Sequence, residues 1–456
     1  MFARNIILNS DSYKYSQWVQ YPPKTTGVFS YIESRGGAWD KTLFVGLQAF
    51  LIEYLSRPIT KADIDEAEAI ITAHGEPFNR AGWEYILKKH KGKLPVVIKA
   101  VPEGTLVPVK NVLVTIENTD PKCYWLTSFL ETALLRAVWY PTTVATNSYE
   151  SKKIIMKYLE ETGDPALIDF KLHDFGARGV SSQESAGLGG MAHLVNFMGT
   201  DTVSALLYAR KYYKAEMAGF SIPAMEHSTV TSWGKPNEAE AYRNMLKTYG
   251  KKGALVAFVS DSYDIYNACE KIWGETLKQE VIDSGAVVVV RPDSGNPSSV
   301  VVKCLQLLEK NFGSVKNAKG YKVLNNVRVI QGDGIDHVNI RSILFSMEIA
   351  GFSADNVAFG QGGALLQQVN RDTMQFAMKC SAAEIDGKWV DVYKEPVTDT
   401  GKNSKRGRIT LYKEGDGEYF TGVEDWPTPV LRTVFENGVL KNQMTFEEVR
   451  ANAKKG

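Results

Sequence analysis

Between residues 167 and 368 the chain alternates short apolar runs with longer amphipathic stretches. Successive runs end about thirty residues apart, which is the length of one strand–helix–strand unit. Residues 287–290 are all valine, as expected for a parallel strand that is buried on both faces. Residues 263–284 and 335–350 place apolar side chains at three- and four-residue spacing, which predicts helices. The runs end at His173–Gly176, Gly199–Asp201, Glu226–Ser228, Ser260–Ser262, Arg291–Asp293, Gly332–Gly334 and Gly360–Gly363.

Repeated units of this kind predict an α/β fold, and we expect a closed or nearly closed α/β barrel. Barrels of this type carry their chemistry on the loops that follow the strands. A doubly wound open sheet is the alternative, because it would produce the same local pattern.

The two flanks of this region have a different pattern. Residues 94–117 read as strands separated by a turn at Pro102–Gly104, and Trp125–Trp139 reads as a helix. Alternating segments return after Met374, with a turn at Asp386–Gly387. We therefore expect a barrel domain over residues 166–374 and a second, α+β domain built from residues 1–165 together with 375–456.

Length and charge narrow the function classes. A chain of 456 residues corresponds to roughly two to three domains. Lys plus Arg number 53 and Asp plus Glu number 52. Proteins that bind nucleic acid or an anionic membrane usually have a basic excess, so we expect neither partner here.

The cysteines and the chain start indicate the compartment. The four cysteines are far apart and form no Cys-x-x-Cys pair, which argues against a disulfide framework or a structural zinc site. Residues 1–12 lack the apolar core of a secretory signal. No stretch approaches the ~18 apolar residues of a membrane span. We therefore expect a soluble cytoplasmic protein.

The segment VVRPDSGNP, residues 289–297, is the most informative stretch. Arg291 and Asp293 lie two positions apart, so a continued strand would point both side chains the same way. Arginine suits a phosphate or carboxylate, whereas aspartate suits ribose hydroxyls or a developing cation. A surface salt bridge beside a turn is the alternative interpretation.

Two glycine-rich loops follow apolar runs, at Gly332-Asp333-Gly334 and Gly360-Gln361-Gly362-Gly363. Glycine allows backbone N–H groups to approach an anion, and a following helix adds its positive N-terminus. Ordinary tight turns would explain either loop alone. Both loops in one domain favour a phosphate site, with Asp333 placed to accept ribose hydroxyls.

Histidine and aromatic residues add candidates for catalysis and ring binding. His227 follows Glu226, and a neighbouring carboxylate can hold an imidazole in one tautomer and make it a better nucleophile or base. Phe175 and Arg178 in HDFGARG offer an aromatic face and a cation to a flat ring. A structural histidine and a core phenylalanine are the alternatives.

Together these motifs resemble the nicotinamide phosphoribosyltransferase family over nearly the whole chain. The segments that carry the resemblance are DSYKYSQWVQYPP, KLHDFGARGVSSQE, NFMGTDTV, EHSTVTSWGK, SDSYDIYNACEKIWGE, RPDSGNP, VIQGDGID and FGQGGALLQ. The chain departs from the animal enzymes at Gln361 and Ala364, where those carry Ser and a third Gly. The resemblance implies the type II phosphoribosyltransferase fold and a homodimer in which each active site is completed by the partner subunit.

The resemblance also implies a reaction. The pyridine nitrogen of nicotinamide displaces pyrophosphate from phosphoribosyl pyrophosphate and gives nicotinamide mononucleotide. Mg²⁺, held mainly by the pyrophosphate, and ATP, as an activating co-substrate, are the implied cofactors. The metal ligands that the protein itself contributes stay unknown.

Individual roles are implied by the same resemblance. Phe175 and the partner subunit's Tyr13 enclose the pyridine ring. Asp201 favours the uncharged carboxamide over nicotinate, and Asp293 is the essential carboxylate near the ribose. ATP phosphorylates His227. Further substrate contacts are implied for Asp11, Arg35, Arg178, Glu226, Ser260, Asp264, Arg291, Gly332, Asp333, Gly362, Gly363 and the partner subunit's Arg371.

Three other functions compete with this one. A nicotinate phosphoribosyltransferase would share the barrel plan, and Asp201 argues against it. A catalytically silent nucleotide-binding homologue would not need His227, Asp293 and both glycine-rich loops. A metal-dependent hydrolase is disfavoured because the sequence contains no His-x-His or His-x-x-x-His pair.

Overall fold

The parallel strands expected between residues 167 and 368 are present in the computed structural model, which describes residues 4–398, 404–415, 417–425 and 427–455. They form a six-stranded sheet in which every neighbouring pair is parallel. In spatial order its strands are Gly199–Thr200, Leu172–Asp174, Val357–Gln361, Val327–Gln331, Val287–Arg291 and Leu255–Val259.

An irregular segment at residues 220–225 closes this sheet into a barrel. Phe220 forms a parallel bridge to Gly199 at one edge of the sheet, and Ala224 forms one to Ala257 at the other. The Phe220 carbonyl accepts from the Thr200 N–H at 3.0 Å, and the Met225 N–H donates to the Ala257 carbonyl at 3.0 Å. The expectation of an irregular α/β barrel is therefore confirmed, and the open sheet is not observed.

The two faces of the barrel sheet carry different side chains. A small cluster of Ala257, Val289 and Ile330, with Phe175 and Ala358 packed against it, lines the inside. Alternate residues, such as Val288, Val290 and Phe359, belong to the large core against the helices. Consequently the next positions on the inward face, two residues further along the chain, lie at the mouth of the barrel, as Arg291, Gly332 and Gly360 do.

Helices follow most of the strands, as the spacing predicts. Pro297–Phe312 begins with Asn296, whose side chain accepts from the Ser299 N–H, and with Pro at its first position. The other helical segments of this region are Pro165–Phe170, Ala177–Gly179, Gln183–His193, His227–Thr231, Lys235–Asn237, Glu238–Tyr249, Ile265–Asn267, Ala268–Thr276, Lys278–Ser284, His337–Ile349, Ala354–Asn356 and Gly363–Leu366. A two-stranded sheet joins Ser314–Lys316 and Lys322–Leu324.

The chain ends build a separate antiparallel sheet. Its seven strands, in spatial order, are Lys388–Asp391, Phe376–Ile385, Thr25–Ser34, Val112–Asn118, Val96–Ala100, Arg432–Glu436 and Val439–Leu440. Small sheets pair Lys41–Leu43 with Leu106–Pro108 and Ile409–Lys413 with Tyr419–Val423. The turn at Asp386 and Gly387 has φ values of 50° and 76°, which suit a tight hairpin.

Helices complete this part of the chain. They are Ile6–Leu8, Ser12–Val19, Leu47–Phe50, Leu51–Leu55, Lys61–His74, Arg80–Lys89, Pro121–Cys123, Leu126–Phe129, Arg371–Thr373 and Phe446–Ala453. Two further helices, Glu131–Thr162 and Val203–Tyr213, contain unit boundaries. Among the described residues no helix is both long and apolar enough to cross a bilayer.

By contacts the chain divides into two units. Residues 1–146, 208–215 and 369–456 form what we call the terminal unit, and residues 147–207 and 216–368 form the barrel unit. The predicted divisions lie between residues 165 and 166 and between residues 374 and 375, with no part of 208–215 in the terminal domain. The helix predicted over 125–139 is interrupted at Leu130 and then continues to Thr162, and the unit boundary between residues 146 and 147 falls within it.

Buried threonines account for that longer helix. Thr142, Thr143 and Thr146 are fully buried, although hydroxyl side chains read as a polar stretch in the sequence. The hydroxyls of Thr143 and Thr146 donate to backbone carbonyls four residues earlier, at 2.6 and 2.7 Å. Because the helix backbone satisfies these groups, it can bury a segment that lacks apolar periodicity.

Candidate functional site

Phe175 lies at the mouth of the barrel against two glycines. Its ring is so close to Gly360 that a β-carbon there would lie 2.0 Å from the ring. A β-carbon on Gly332 would lie 3.4 Å from the same ring and 3.3 Å from both Arg291 and Asp293. The structure thus brings together Phe175, both glycine-rich loops and the Arg291–Asp293 motif, as the sequence predicted.

Arg291 and Asp293 form a two-point ion pair. Arg291 Nη2 donates to Asp293 Oδ2 at 2.8 Å and Nε donates to Oδ1 at 3.3 Å. Both side chains are partly buried, and the Arg291 guanidinium lies 5.6 Å from the centre of the Phe175 ring. The pair is therefore a salt bridge, and it is also part of the mouth of the barrel, so the two interpretations of this motif are compatible.

Asp201 occupies an exposed position at the end of the neighbouring strand. Its N–H donates to the Asp174 carbonyl at 2.9 Å, and its Oδ1 accepts from the Ser221 hydroxyl at 2.6 Å. Ser221 belongs to the segment that closes the barrel. This hydrogen bond orients the carboxylate and leaves the other oxygen available to a ligand N–H.

The glycine-rich loop after the strand Val357–Gln361 leads into the short helix Gly363–Leu366. A β-carbon on Gly363 would meet no atom within 4 Å, so its backbone borders open space. Gly179 lies against Gly363, with 3.6 Å from its added β-carbon to the Gly363 backbone. Arg178 is exposed on the same turn.

Gln361 does not enter this loop. It pairs in register with Asp174 and is 1% exposed. Because Gly360 faces Phe175, the next side chain points to the opposite face of the sheet. The departure from the animal enzymes at position 361 therefore lies behind the loop.

Asp333 lies on the turn between Gly332 and Gly334 and is exposed. Its carbonyl accepts from the Gln331 side chain at 3.0 Å, and Gly334 has a φ of 64°, which favours glycine. The turn therefore presents the Asp333 carboxylate beside Gly332, near the Arg291–Asp293 pair.

His227 is held by a different carboxylate from the one predicted. Its Nε2 lies 3.0 Å from Asp261 Oδ1, whereas Glu226 accepts from the Ser228 hydroxyl and caps its own helix through Thr229. The expectation that Glu226 orients His227 is therefore wrong. Asp261 Oδ2 also accepts from Ser294 at 2.8 Å, which connects His227 to the loop that carries Asp293.

Two other predicted contacts have structural partners. Ser260 is 0% exposed, donates to the Phe258 carbonyl at 3.0 Å and accepts from the Trp273 indole at 3.1 Å. Its side chain therefore faces the core, whereas its neighbour Asp261 contacts His227. Asp264 Oδ1 caps a helix by accepting from the N–H groups of Tyr266 and Asn267.

The remaining predicted residues lie in the terminal unit. Tyr13 is 55% exposed, and Asp11 precedes it and accepts from the Thr132 hydroxyl at 2.6 Å. Arg371 is exposed and pairs with Asp372 at 3.0 Å. The Arg35 N–H donates to the Gln375 carbonyl at 3.3 Å.

Arg35 and Arg371 belong to a basic cluster that the sequence did not reveal. Burial lowers the pKa of Lys379, and the positive charges of Arg35, Lys394 and Arg371 lower it further, while Glu131 opposes them. Several cations this close together repel one another unless an anion joins them. These cations therefore give this part of the terminal unit a basic character, which Glu131 partly offsets.

The sequence did not indicate the roles of three residues at these sites, Asp261, Ser221 and Lys379. Each lies outside the glycine-rich loops, and its role comes from a neighbour distant in sequence. A polar residue directly after a strand was the available signal for Asp261, because it follows the run that ends at Val259.

Sequence models of two families match this chain. The nicotinate phosphoribosyltransferase (NAPRTase) family matches residues 170–439, and the N-terminal domain of nicotinamide phosphoribosyltransferase matches residues 5–98. A nicotinamide phosphoribosyltransferase of Xanthomonas campestris is 58% identical, over 99% of this chain and 98% of that protein. Its counterpart in Acinetobacter baylyi is 33% identical, over 98% and 97%.

Solved structures share the fold at low identity. A nicotinate-nucleotide pyrophosphorylase from Pyrococcus furiosus superposes with a TM-score of 0.64 at 17% identity, covering 100% of this chain and 96% of that chain. Human nicotinic acid phosphoribosyltransferase gives a TM-score of 0.60 at 16% identity, covering 98% and 92%. These likenesses confirm the type II phosphoribosyltransferase fold.

Proposed function

The chain belongs to the nicotinamide phosphoribosyltransferase family of NAD salvage, and from that premise we propose how its residues perform the transfer. The pyridine nitrogen attacks C1 of phosphoribosyl pyrophosphate, a C–N bond forms, and the C–O bond breaks as its electron pair leaves with pyrophosphate. The attacking nitrogen carries no proton, so the site supplies position and charge rather than a general base.

The contact of Phe175 with Gly332, Gly360 and Arg291 carries this proposal. The Phe175 ring packs against the backbone of Gly360 and Gly332, and the pyridine ring stacks on it. Tyr13 of the partner subunit covers the opposite side of the pyridine. Stacking on both sides sets the angle at which the nitrogen meets C1.

Asp201 recognises the carboxamide. Its carboxylate, oriented by Ser221, accepts from the amide NH₂ of nicotinamide. Nicotinate would place a second carboxylate against it, and like charges in a partly dry pocket repel strongly. Asp201 therefore favours nicotinamide.

Asp293 stabilises positive charge in the reaction, and Arg291 binds negatively charged phosphate. Positive character develops on the ribose as the bond to pyrophosphate breaks, and Asp293 stabilises it. Arg291 and Arg178 contact ring and phosphate groups, Asp333 accepts ribose hydroxyls, and the N–H groups around Gly362 and Gly363 hold the 5′-phosphate. The Arg291–Asp293 ion pair keeps both groups in place before substrate arrives.

The phosphate oxygens of phosphoribosyl pyrophosphate would hold Mg²⁺, and the ion would supply positive charge that stabilises the departing pyrophosphate. Among the described residues of the barrel unit no three His, Cys, Asp or Glu side chains converge as a preformed metal site. This favours a metal held mainly by pyrophosphate, and the exposed Asp333 carboxylate would be an additional oxygen ligand.

ATP stimulates the transfer through a phosphohistidine at His227. Asp261 accepts from one ring nitrogen of His227, which leaves the other nitrogen available as the nucleophile toward the γ-phosphorus. The P–N bond forms as the bond to ADP breaks. The 48% exposure of the His227 side chain allows ATP to approach it.

A homodimer completes each site. In the barrel unit Val203, Leu207, Phe170 and Phe220 are between 46% and 67% exposed, and the rings of Phe170 and Phe220 lie 6.2 Å apart. Exposed apolar groups of this kind are typical of a subunit interface. The partner subunit brings Tyr13 together with its basic cluster of Arg35, Arg371, Lys379 and Lys394.

Formation of nicotinamide mononucleotide from nicotinamide and phosphoribosyl pyrophosphate, with and without ATP, tests the proposal. We expect product in both reactions and more with ATP. Product from nicotinate at equal efficiency would favour a nicotinate enzyme instead. Calorimetric binding of both substrates without product would favour the silent homologue.

A further inference from the structure

A second carboxyl group is buried directly behind Phe175, where we place the pyridine ring. Asp174 ends the strand that leads to Phe175 and is 0% exposed. Its Oδ1 accepts from the Gly176 N–H at 2.7 Å. Within the described residues its Oδ2 accepts no hydrogen bond of ordinary geometry. An incompletely satisfied buried carboxyl is unusual and calls for an explanation.

The surroundings of Oδ2 leave it little room. It faces Gly190 of the helix Gln183–His193, where an added β-carbon would lie 2.9 Å from Oδ2 and 2.7 Å from Ala205. Burial raises the pKa of Asp174 to about 6 and the charge of Asp201 adds to this, while the Gly176 N–H and the hydroxyls of Thr202 and Thr200 act in the opposite direction. At neutral pH the carboxyl is therefore mostly ionised inside the protein.

Asp174 is also joined to both sides of the ring site. Its own carbonyl accepts from the Asp201 N–H at 2.9 Å, and its carboxyl holds the N–H of Gly176, the residue after Phe175. The Asp174 and Asp201 backbones are consequently joined by one hydrogen bond, and the charges of the two carboxyl groups interact. Charges in a low-dielectric interior act over longer distances than charges in water.

We propose that Asp174 is a second specificity-determining carboxylate, which adds negative potential to the carboxamide pocket from behind Asp201 and disfavours nicotinate. The inference rests on the proposed function, in which Asp201 meets the carboxamide. Nicotinamide is uncharged and responds little to this potential, whereas the carboxylate of nicotinate is repelled by it. Asp174 therefore acts on the ratio between the two substrates and does not touch either one.

A purely structural role makes a different prediction. An asparagine side chain at this position would keep an oxygen for the Gly176 N–H and would lose only the charge. If Asp174 serves shape alone, Asp174→Asn changes neither the preference nor the KM for phosphoribosyl pyrophosphate. If the charge of Asp174 matters, Asp174→Asn weakens the preference for nicotinamide over nicotinate, while the KM for phosphoribosyl pyrophosphate stays the same.

Steady-state kinetics with both pyridines separates these roles. For Asp174→Asn at pH 7.5 we expect the ratio of kcat/KM for nicotinamide to that for nicotinate to fall about threefold to tenfold. Asp164→Asn is the matched control, because Asp164 Oδ1 likewise accepts from the N–H two residues later, at 2.9 Å, on an exposed turn. It leaves the ratio unchanged.

Two further variants keep the inference falsifiable. Thr202→Val removes a hydroxyl that favours the charged form of Asp174. It should therefore lower the ratio of kcat/KM for nicotinamide to that for nicotinate, but by less than Asp174→Asn does. This variant replaces Asp174→Asn in the test if Asp174→Asn does not fold. Asp201→Asn tests the premise. If it moves the ratio and Asp174→Asn and Thr202→Val do not, Asp174 has no role in specificity and the proposed function stands. If Asp201→Asn also has no effect, the premise itself fails.

Discussion

The Phe175 ring covers Gly360 so closely that a β-carbon at position 360 would lie 2.0 Å from a ring carbon. We expect Gly360→Ala to displace the ring and raise the KM for nicotinamide about tenfold or more, because stacking sets the position of the pyridine. The KM for phosphoribosyl pyrophosphate should change much less. Steady-state titration of each substrate at saturating levels of the other measures both.

Gly363→Ala is the matched control, since it adds the same methyl group three residues later, where no atom lies within 4 Å. It should leave the nicotinamide KM unchanged and raise that for phosphoribosyl pyrophosphate, whose 5′-phosphate needs close approach of the backbone. Equal effects of both variants on both substrates would contradict the assignment of the two subsites.

Asp201→Asn should narrow the preference for nicotinamide about tenfold or more, because it removes the like charge that nicotinate meets. Ser221→Ala should narrow the preference for nicotinamide by less than Asp201→Asn does. It keeps the Asp201 charge and removes only the 2.6 Å hydrogen bond that orients this carboxylate. The ratio of kcat/KM values for the two pyridines is the measurement. An unchanged ratio in Asp201→Asn would show that another group recognises the carboxamide.

Replacement of His227 by alanine should retain basal transfer and abolish stimulation by ATP. Asp261→Asn should reduce phosphorylation of His227 about tenfold, because the 3.0 Å contact orients the ring. Incubation with γ-labelled ATP and assay of acid-labile phosphate measures both. Glu226→Gln is the control and should retain the label, since Glu226 contacts Ser228 rather than His227; absence of label on the wild type would refute the phosphohistidine.

Asp174 should lower the stability of the protein at neutral pH. Its pKa is about 6 in the folded protein against a usual 3.8, so between these values the folded state binds more protons and stability falls as pH rises. The shift corresponds to about 3 kcal/mol at pH 7. Asp174→Asn should therefore raise Tm relative to wild type at pH 7 and lose that advantage near pH 4, as thermal scans would reveal.

Subunit complementation tests the shared site. Tyr13→Ala and Asp293→Ala should each be nearly inactive as pure proteins. After both are mixed and allowed to exchange subunits, half of the dimers carry both chains and each of these has one intact site, so activity should recover to about a quarter of wild type. A mixture that stays inactive although mass analysis detects the mixed dimer would contradict the contribution of the partner subunit's Tyr13.

The alternation of apolar runs and polar run ends was enough to predict a parallel sheet and most of the residues at one end of it, whereas closure into a barrel was expected with an open sheet as the alternative. Parallel strands buried on both faces need continuous apolar residues, and the chain leaves them at one end, so Phe175, Asp201, Arg291 and Gly332 had to lie on the same rim. The role of the glycines could also be predicted, because few other residues allow the backbone to approach a ring or an anion so closely.

Contacts between side chains that are distant in sequence could not be predicted. Glu226 adjoins His227 along the chain, yet the helix that begins at His227 uses Glu226 as its cap, and a residue thirty-four positions later holds the imidazole. Ser260 and Asp261 are neighbours after one strand, and strand alternation alone placed the first in the core and the second beside His227.

The sequence by itself determined the strand–helix order, the loops that carry glycine and charge, and the family to which the chain belongs. Only the tertiary structure decided that Asp261 orients His227, that Gln361 lies behind its loop, and that Asp174 is buried behind Asp201. Periodicity is a local property that each segment displays alone. Ion pairs, burial and the facing of side chains depend on which segments become neighbours, and that is settled only when the sheet closes.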